Sequence, residues 1–434
     1  MKPSGIEWIG DIPQSWNLLK LKYFSYLKGR IGWQGLSADE FIDEGPYLIT
    51  GTDFENGRIQ FERSYHISNE RYNQAPEIQL RCGDLLVTKD GTVGKLAYVD
   101  KLPGSASLNS HLLLIRPLNN KFDNRFLFWL LGSSVFTGYT NYSQDGTIMA
   151  SLSQEKIGNF LSYFPQLTEQ QIIADYLDER CAEIDSIIAD IEKQIELLKQ
   201  YKKSLITETV TKGLDKSVPM KDSGIDWCPF EIPRKWNVKR IKYIFNLRGE
   251  KNYRPLDEVN LISLYTDLGV VQHSDLETTT GNKAYTADGY MKVFVDDIVV
   301  NIILCWMGAI GLSKYEGVTS PAYDVYYAKN KKQTCPRYYH YVFKIKQFHG
   351  KCYSVGRGIM AMRWRTYSSE FKNIEIPVPP VSDQIKIADY LDKKCKQIDA
   401  IISDKQQQLE LMLQHKKSLI YEYVTGKKRV KEAM

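Results

Sequence analysis

Between residues 177 and 205, apolar side chains return at alternating spacings of four and three: Leu177, Cys181, Ile184, Ile188, Ile191, Ile195, Leu198, then Lys202 and Leu205. Later in the chain Leu391, Cys395, Ile398, Ile402, Lys405, Leu409, Met412, Lys416 and Leu419 keep the same register. A seven-residue apolar repeat on one stripe predicts long helices whose side chains seat into a facing helix, as in a coiled coil. Lys202, Lys405 and Lys416 interrupt the seam, where polar groups fix register and partner choice rather than add stability. At 1.5 Å per residue a helix from 168 to about 210 spans roughly 60 Å. Proline marks both starts, Pro165 in the first case and Pro377, Pro379 and Pro380 in the second. Thr168 and Ser382 then read as N-caps. Gln171 completes a capping box after Thr168, whereas Ile385 leaves the second copy without one. Two such helices most simply pair with each other; the alternative is that each packs on its own globular neighbour.

The helices belong to a larger repeat. Residues 165–212 match 379–426 without a gap, 26 identities in 48 positions. A Trp-containing lead-in also occurs twice, Ser4-Gly5-Ile6-Glu7-Trp8 with Ile12-Pro13 and Trp16, then Ser223-Gly224-Ile225-Asp226-Trp227 with Ile232-Pro233 and Trp236. Repeats of this kind set the architecture. Between the shared pieces lie two unlike inserts, each long enough to bury its own core. Apolar runs place corresponding strands at Gly83–Val87 and Asp296–Val300; after the first, Asp90-Gly91 signals a hairpin into Val93–Val99. Cys305-Trp306-Met307-Gly308 stands at the matching turn of the second insert, and Ile148-Met149-Ala150 matches Ile359-Met360-Ala361. The expected class is α+β: two mixed α/β modules of one fold, differing most at loop tips, in a tandem repeat with long helices. The expected boundaries are module 1–165, helix 166–212, linker 213–222, module 223–380, helix 381–426 and a basic tail 427–434.

Composition changes this picture little. The hydrophobic share of 43% and charged share of 25% are those of a globular chain. No apolar run reaches a membrane-spanning length. Seven scattered cysteines without a Cys-x-x-Cys pair favour a reduced, cytoplasmic setting. Charge is more informative. Residues 17–164 balance 15 basic against 15 acidic side chains, whereas 325–369 hold ten basic residues and no acid. Tyr338, Tyr339, Tyr341, Phe343, Tyr353, Trp364 and Tyr367 interleave them, a footprint expected of nucleic-acid binding. Catalytic patterns are absent. Gly91-Thr92-Val93-Gly94-Lys95 lacks the first glycine and the terminal Ser or Thr of a phosphate loop, with Lys89 and Leu96 in those places. No zinc-protease, nucleophile-elbow or aminomethyltransferase motif occurs. Two unlike modules on a shared frame fit reading of two different half-sites on one duplex.

The residues support a family. Ser4-Gly5-Ile6-Glu7-Trp8-Ile9-Gly10-Asp11-Ile12-Pro13 with Trp16, and Pro165-x-Leu-Thr-Glu-Gln170 running into Ala174-Asp175-Tyr176-Leu177, each present in two closely similar copies, resemble the entry and helix-start motifs of DNA specificity subunits of type I restriction–modification systems. The second lead-in departs at Cys228-Pro229-Phe230-Glu231, one residue longer. The resemblance implies two target-recognition domains held apart by an antiparallel coiled coil with pseudo-two-fold symmetry. Each domain would read one half of an asymmetric split DNA site, the coil setting the spacer and docking partners. It also implies two modification subunits carrying S-adenosylmethionine, and two restriction subunits using ATP and magnesium, with no cofactor or metal in this chain. Competing readings are a self-contained DNA-modifying enzyme and a scaffold without a DNA role. Candidate DNA contacts are Lys89, Thr92, Lys95, Asn109, His111, Gln144 and Thr147 in the first module. In the second they are Ser320, Tyr323, Lys351, Arg357, Arg363 and Arg365.

Overall fold

The computed structural model describes residues 1–30, 36–118, 121–142, 152–266, 268–275, 286–358 and 364–430. The chain divides into two compact units, Met1–Glu192 with Gln407–Met434, and Lys193–Gln406. The long helices run Leu167–Lys212 and Val381–Val424, so each gives one segment to each unit. Among the described residues no helix is long and apolar enough to cross a membrane.

Each unit is built on a four-stranded antiparallel sheet of the same connectivity. In the first, β1 (Ser25–Gly29), β2 (Leu85–Thr88), β3 (Leu96–Tyr98) and β4 (Leu112–Pro117) lie in the order β3-β2-β4-β1. In the second, β5 (Phe245–Leu247), β6 (Ile298–Asn301), β7 (Ile310–Leu312) and β8 (Tyr323–Ala328) lie in the order β7-β6-β8-β5. The expected hairpin is present, with Leu96 opposite Val87. Side chains alternate between faces along a strand, so a strand apolar at every position must be covered on both. Leu85 and Val87 face the helices, Leu86 the strands around Ile49. Ile298 and Val300 repeat the first role, Val299 the second.

The long helices close these cores. In the first unit Leu177, Cys181 and Ile184 pack with Leu419, Ile420, Tyr423 and Val424 against Trp16, Phe126 and Phe164. Tyr176 meets Tyr423 at 4.6 Å and Lys416 meets Asp185, so the segments run antiparallel. In the second unit Ile206 and Val210 join Leu391 and Cys395 around Trp236 and Tyr338. Pairing with each other and packing on a globular module are therefore both realised. The seam lysines have partners: Lys416 Nζ donates to both Asp185 oxygens at 2.6 and 2.7 Å, and Lys202 Nζ to both Asp399 oxygens at 2.6 Å. Half-exposed pairs of this kind add about 0–1 kcal/mol and act mainly on register.

The expected caps are not at Thr168 and Ser382, since the helices begin one residue earlier, at Leu167 and Val381. A buried glutamine in the first turn serves each start. Gln170 Nε2 donates to Pro165 O at 2.9 Å and Lys121 O at 3.3 Å, while its Oε1 accepts from Asp123 N at 2.8 Å. Gln384 makes the same three bonds to Pro379 O (2.9 Å), Gln333 O (3.3 Å) and Cys335 N (2.8 Å). Asp123 and Cys335 cap helices Asn124–Leu131 and Pro336–Val342, so one amide ties each short helix to its long one. Ion pairs reinforce the tie. Arg125 reaches Asp175 at 2.6 Å, and Arg337 reaches Asp389 and Asp392 at 2.8 and 2.7 Å. The repeated Asp-Tyr-Leu motif is thus an anchor.

Replacing Gln384 with methionine strips two buried backbone groups and a third, part-buried one of their partner and should cost about 3 kcal/mol. Urea unfolding checks this, and a loss below about 0.5 kcal/mol, the scale of a surface substitution, would show the tie to be inert. A second test concerns His340, which accepts a hydrogen bond from Leu312 N through Nδ1 and whose pKa burial pushes down to about 3. Below pH 6.5 the unfolded chain takes up a proton there that the folded chain refuses, so stability falls with falling pH. Between pH 7 and 5 the wild type should lose about 2 kcal/mol more than His340→Gln. Asp324, held at about 6 by burial, has the opposite sign but is common to both proteins and drops out of the difference.

Candidate nucleic-acid interface

The strands β2 and β4 end together, with Leu112 opposite Thr88, and this places two turns side by side. Lys89 N donates to His111 O at 2.9 Å, and Leu152 N donates to Lys89 O at 2.9 Å. The β2–β3 turn is closed by Thr88 N to Lys95 O at 2.9 Å, with Thr88 Oγ1 also taking Lys95 N at 2.9 Å. Gly91 and Gly94 hold positive φ, +71° and +85°, which L side chains resist. Asn109 Oδ1 accepts from His111 N at 3.0 Å, and His111 Nδ1 lies 3.5 Å from Asp90. Lys89, Thr92, Lys95, Asn109 and His111 therefore share one rim. Gln144 and Thr147 lie outside the described residues.

The second unit hangs its turns from the same backbone bonds. Ile302 N donates to Ala322 O at 3.2 Å, Thr366 N to Ile302 O at 2.8 Å, and Asn301 N to Ala309 O at 3.0 Å. Asn301 stands opposite Tyr323, as Thr88 does opposite Leu112. Thus Ile302 takes the place of Lys89, Ala322 that of His111, and Ser320 that of Asn109. Ser320 Oγ accepts from Ala322 N at 3.3 Å. Tyr323 is half-buried, and burial raises its hydroxyl pKa. Arg357 and Arg365 exchange backbone bonds at 2.9 Å in both directions, next to Thr366, so both belong to this rim. The Arg365 side chain is exposed, whereas Arg357 pairs with Glu370 at 2.8 Å. Arg363 lies outside the described residues.

Lys351 is turned to Asp226 of the lead-in and pairs with it. One expectation changes. The aromatics that interleave the basic run are largely core: Tyr338, Tyr339, Tyr341 and Phe343 are buried, and Tyr338 hydroxyl donates to Val210 O at 3.0 Å. They fill the space between sheet and long helix, which composition cannot distinguish from a stacking surface. Only Tyr353, Trp364 and Tyr367 stay near the rim, with Trp364 stacked on Tyr353 at 5.0 Å. Leu304, Trp306 and Met307 occupy the tip equivalent to 89–95. The matching of strands signalled them, but they carry no charge to draw attention.

Two units of one α+β fold, closed by segments of two long repeated helices and bearing unlike rims on equivalent turns, define a tandem recognition module. The pattern describing the type I restriction modification DNA specificity domain matches residues 32–197 and 233–411, and the chain belongs to that family. It is 25% identical over 436 residues to a Methanocaldococcus jannaschii chain bearing the name of the MjaX type I restriction enzyme specificity subunit, covering 98% of this chain and 96% of that one. It is 24% identical over 432 residues to the MjaVIII specificity subunit of the same organism, covering 97% and 94%. In fold it resembles a chain solved in a study of complex assembly and conformational transition of the type I R-M system, with a TM-score of 0.68 at 13% identity over 96% of this chain and 100% of that one. The HsdS subunit from Thermoanaerobacter tengcongensis gives 0.54 at 13% identity, over 96% and 98%.

The rims predict unequal roles for the basic residues. Arg365→Ala should weaken duplex binding and reduce the slope of log affinity against log salt by about one if the guanidinium meets a phosphate. Lys351→Ala should leave that slope unchanged. Fluorescence anisotropy across a salt series tests both, and a slope lowered by Lys351→Ala alone would reverse the assignment.

Proposed function

We propose that each unit reads one half of a bipartite, asymmetric DNA site through its rim, and that the paired helices set the spacer and dock modification subunits. The observation that carries the reading is the equivalence of the turns with non-equivalence of their side chains: Lys89 against Ile302, Asn109 against Ser320, His111 against Ala322. An identical pair of rims on a repeated frame suits a palindrome, whereas unlike rims suit two different half-sites. In this reading the chain supplies recognition only. Two modification subunits bring S-adenosylmethionine and methylate adenine, and two restriction subunits bring ATP- and magnesium-dependent cleavage, in a cytoplasmic assembly on double-stranded DNA. Extraction of the target base from the stack then falls to the modification subunit.

Mapping of adenine methylation in cells with and without this gene tests the reading. The expected result is loss of one split, non-palindromic motif when the gene is deleted. A continuous or palindromic motif that depends on the gene would overturn it. Methyl transfer by the purified chain alone would favour a self-contained enzyme instead.

A further inference from the structure

The two tips differ in kind. Between the bonds that close it, the first holds Lys89, Asp90 and Thr92, with Lys95 at its far side. The second runs Ile302-Ile303-Leu304-Cys305-Trp306-Met307-Gly308-Ala309, eight residues without a charge or a hydroxyl. Its interior side is fixed. Cys305 is fully buried, Trp306 packs on Tyr353 at 5.4 Å, and Asn301 Oδ1 accepts from Ile303 N at 2.9 Å and Leu304 N at 3.2 Å. Gly308 turns the chain at φ +93°, where a Cβ would come within 2.6 Å of His349. What this rigid turn presents outward is Leu304, 38% exposed, and Met307, 53% exposed.

Clustered apolar side chains on a surface mark a contact site. Arg365, exposed, precedes Thr366, whose N–H bonds Ile302 O at the base of this tip, and the polar tip of the other unit occupies the equivalent position; on the function proposed above, the partner of this tip is DNA. The indole N–H of Trp306 is buried, and the exposed side chains of this tip, Leu304 and Met307, offer no strong donor or acceptor for hydrogen bonding to base edges. The sequence-specific apolar group in the major groove is the C5-methyl of thymine. We propose that the second unit reads its half-site through a thymine methyl held by Leu304 and Met307, while the first unit reads by polar contacts. This rests on the function proposed above and adds the chemistry of one half-site.

The test uses the full chain and a duplex carrying the mapped motif, with each thymine in turn replaced by 2′-deoxyuridine, which removes only the methyl. At one position, within one half-site, binding should weaken roughly fourfold, the scale of one buried methyl group. In the Leu304→Ala, Met307→Ala double variant that penalty should vanish, because the methyl no longer has its contact. Lys89→Ala should leave it intact. Both tip residues are exposed, and circular dichroism confirms that the variant is folded. Equal binding of every uracil duplex, or a penalty that persists in the double variant, overturns the inference while leaving the bipartite reading in place. Wild-type chain that shows no preference for the motif duplex would overturn both.

Discussion

Neither globular module completes its core with residues from its own stretch of sequence. The first unit needs Leu419, Ile420, Tyr423 and Val424, almost at the far end of the chain, to cover Trp16 and Phe164. The second needs Ile206 and Val210, which precede its lead-in. Each helix end is then fixed on the lead-in tryptophan. Gly213 and Gly426 follow the helices with φ of +76° and +67°, and a Cβ on either would crowd a ring carbon, Trp236 Cζ2 at 3.2 Å and Trp16 Cζ2 at 2.8 Å. Glycine is required twice over there, by conformation and by space. The repeated lead-in is therefore the receptor for a helix end, which is why it recurs with the helix.

This constraint separates what must stay the same from what is free to differ. The sheet order, the buried Gln170 and Gln384 and the Asp-Tyr-Leu anchors all serve closure and occur twice in the same roles. The copies diverge where closure allows. Trp16 Nε1 donates to Glu169 at 3.4 Å, whereas Asp383, one methylene shorter, pairs with Lys235 at 2.9 Å. Asp84 and Asp297 both sit at the start of a central strand and both take an arginine in two bonds. Yet Arg116 comes from β4, and Arg248 follows β5. One requirement, neutralising a buried carboxylate, has two sequence solutions.

Much of this was legible beforehand because periodicity and repetition are local properties of a string. The seven-residue seam, the paired long helices and the hairpin at Asp90-Gly91 followed from spacing alone. The seam lysines were visible as interruptions, but Asp185 and Asp399 were not visible as their partners, since that depends on antiparallel register. The helix starts were misplaced for a related reason. Thr168 and Ser382 are good caps in isolation, but the first turn is held by a glutamine amide bonded to a distant helix, and tertiary contact outweighs local preference. The interleaved tyrosines read as a surface because the basic residues between them are visible in the sequence and their own burial is not.

The rim was legible where it is polar. Lys89, Lys95 and His111 announce themselves by residue type, whereas Leu304 and Met307 look like core until the fold turns them outward. That difference follows from how the tips are held. In both units the turns hang from backbone hydrogen bonds, Lys89 N or Ile302 N to the facing turn and Leu152 N or Thr366 N back to the same residue. A bond made by main-chain atoms does not depend on the side chain beside it. The residue that carries these bonds is thereby released from holding the turn by its side chain, and a lysine can stand where an isoleucine stands without disturbing the sheet below. If the rims read DNA as proposed, specificity can vary in chemical kind as well as in detail, because the bonds that hang the turns are made by main-chain atoms.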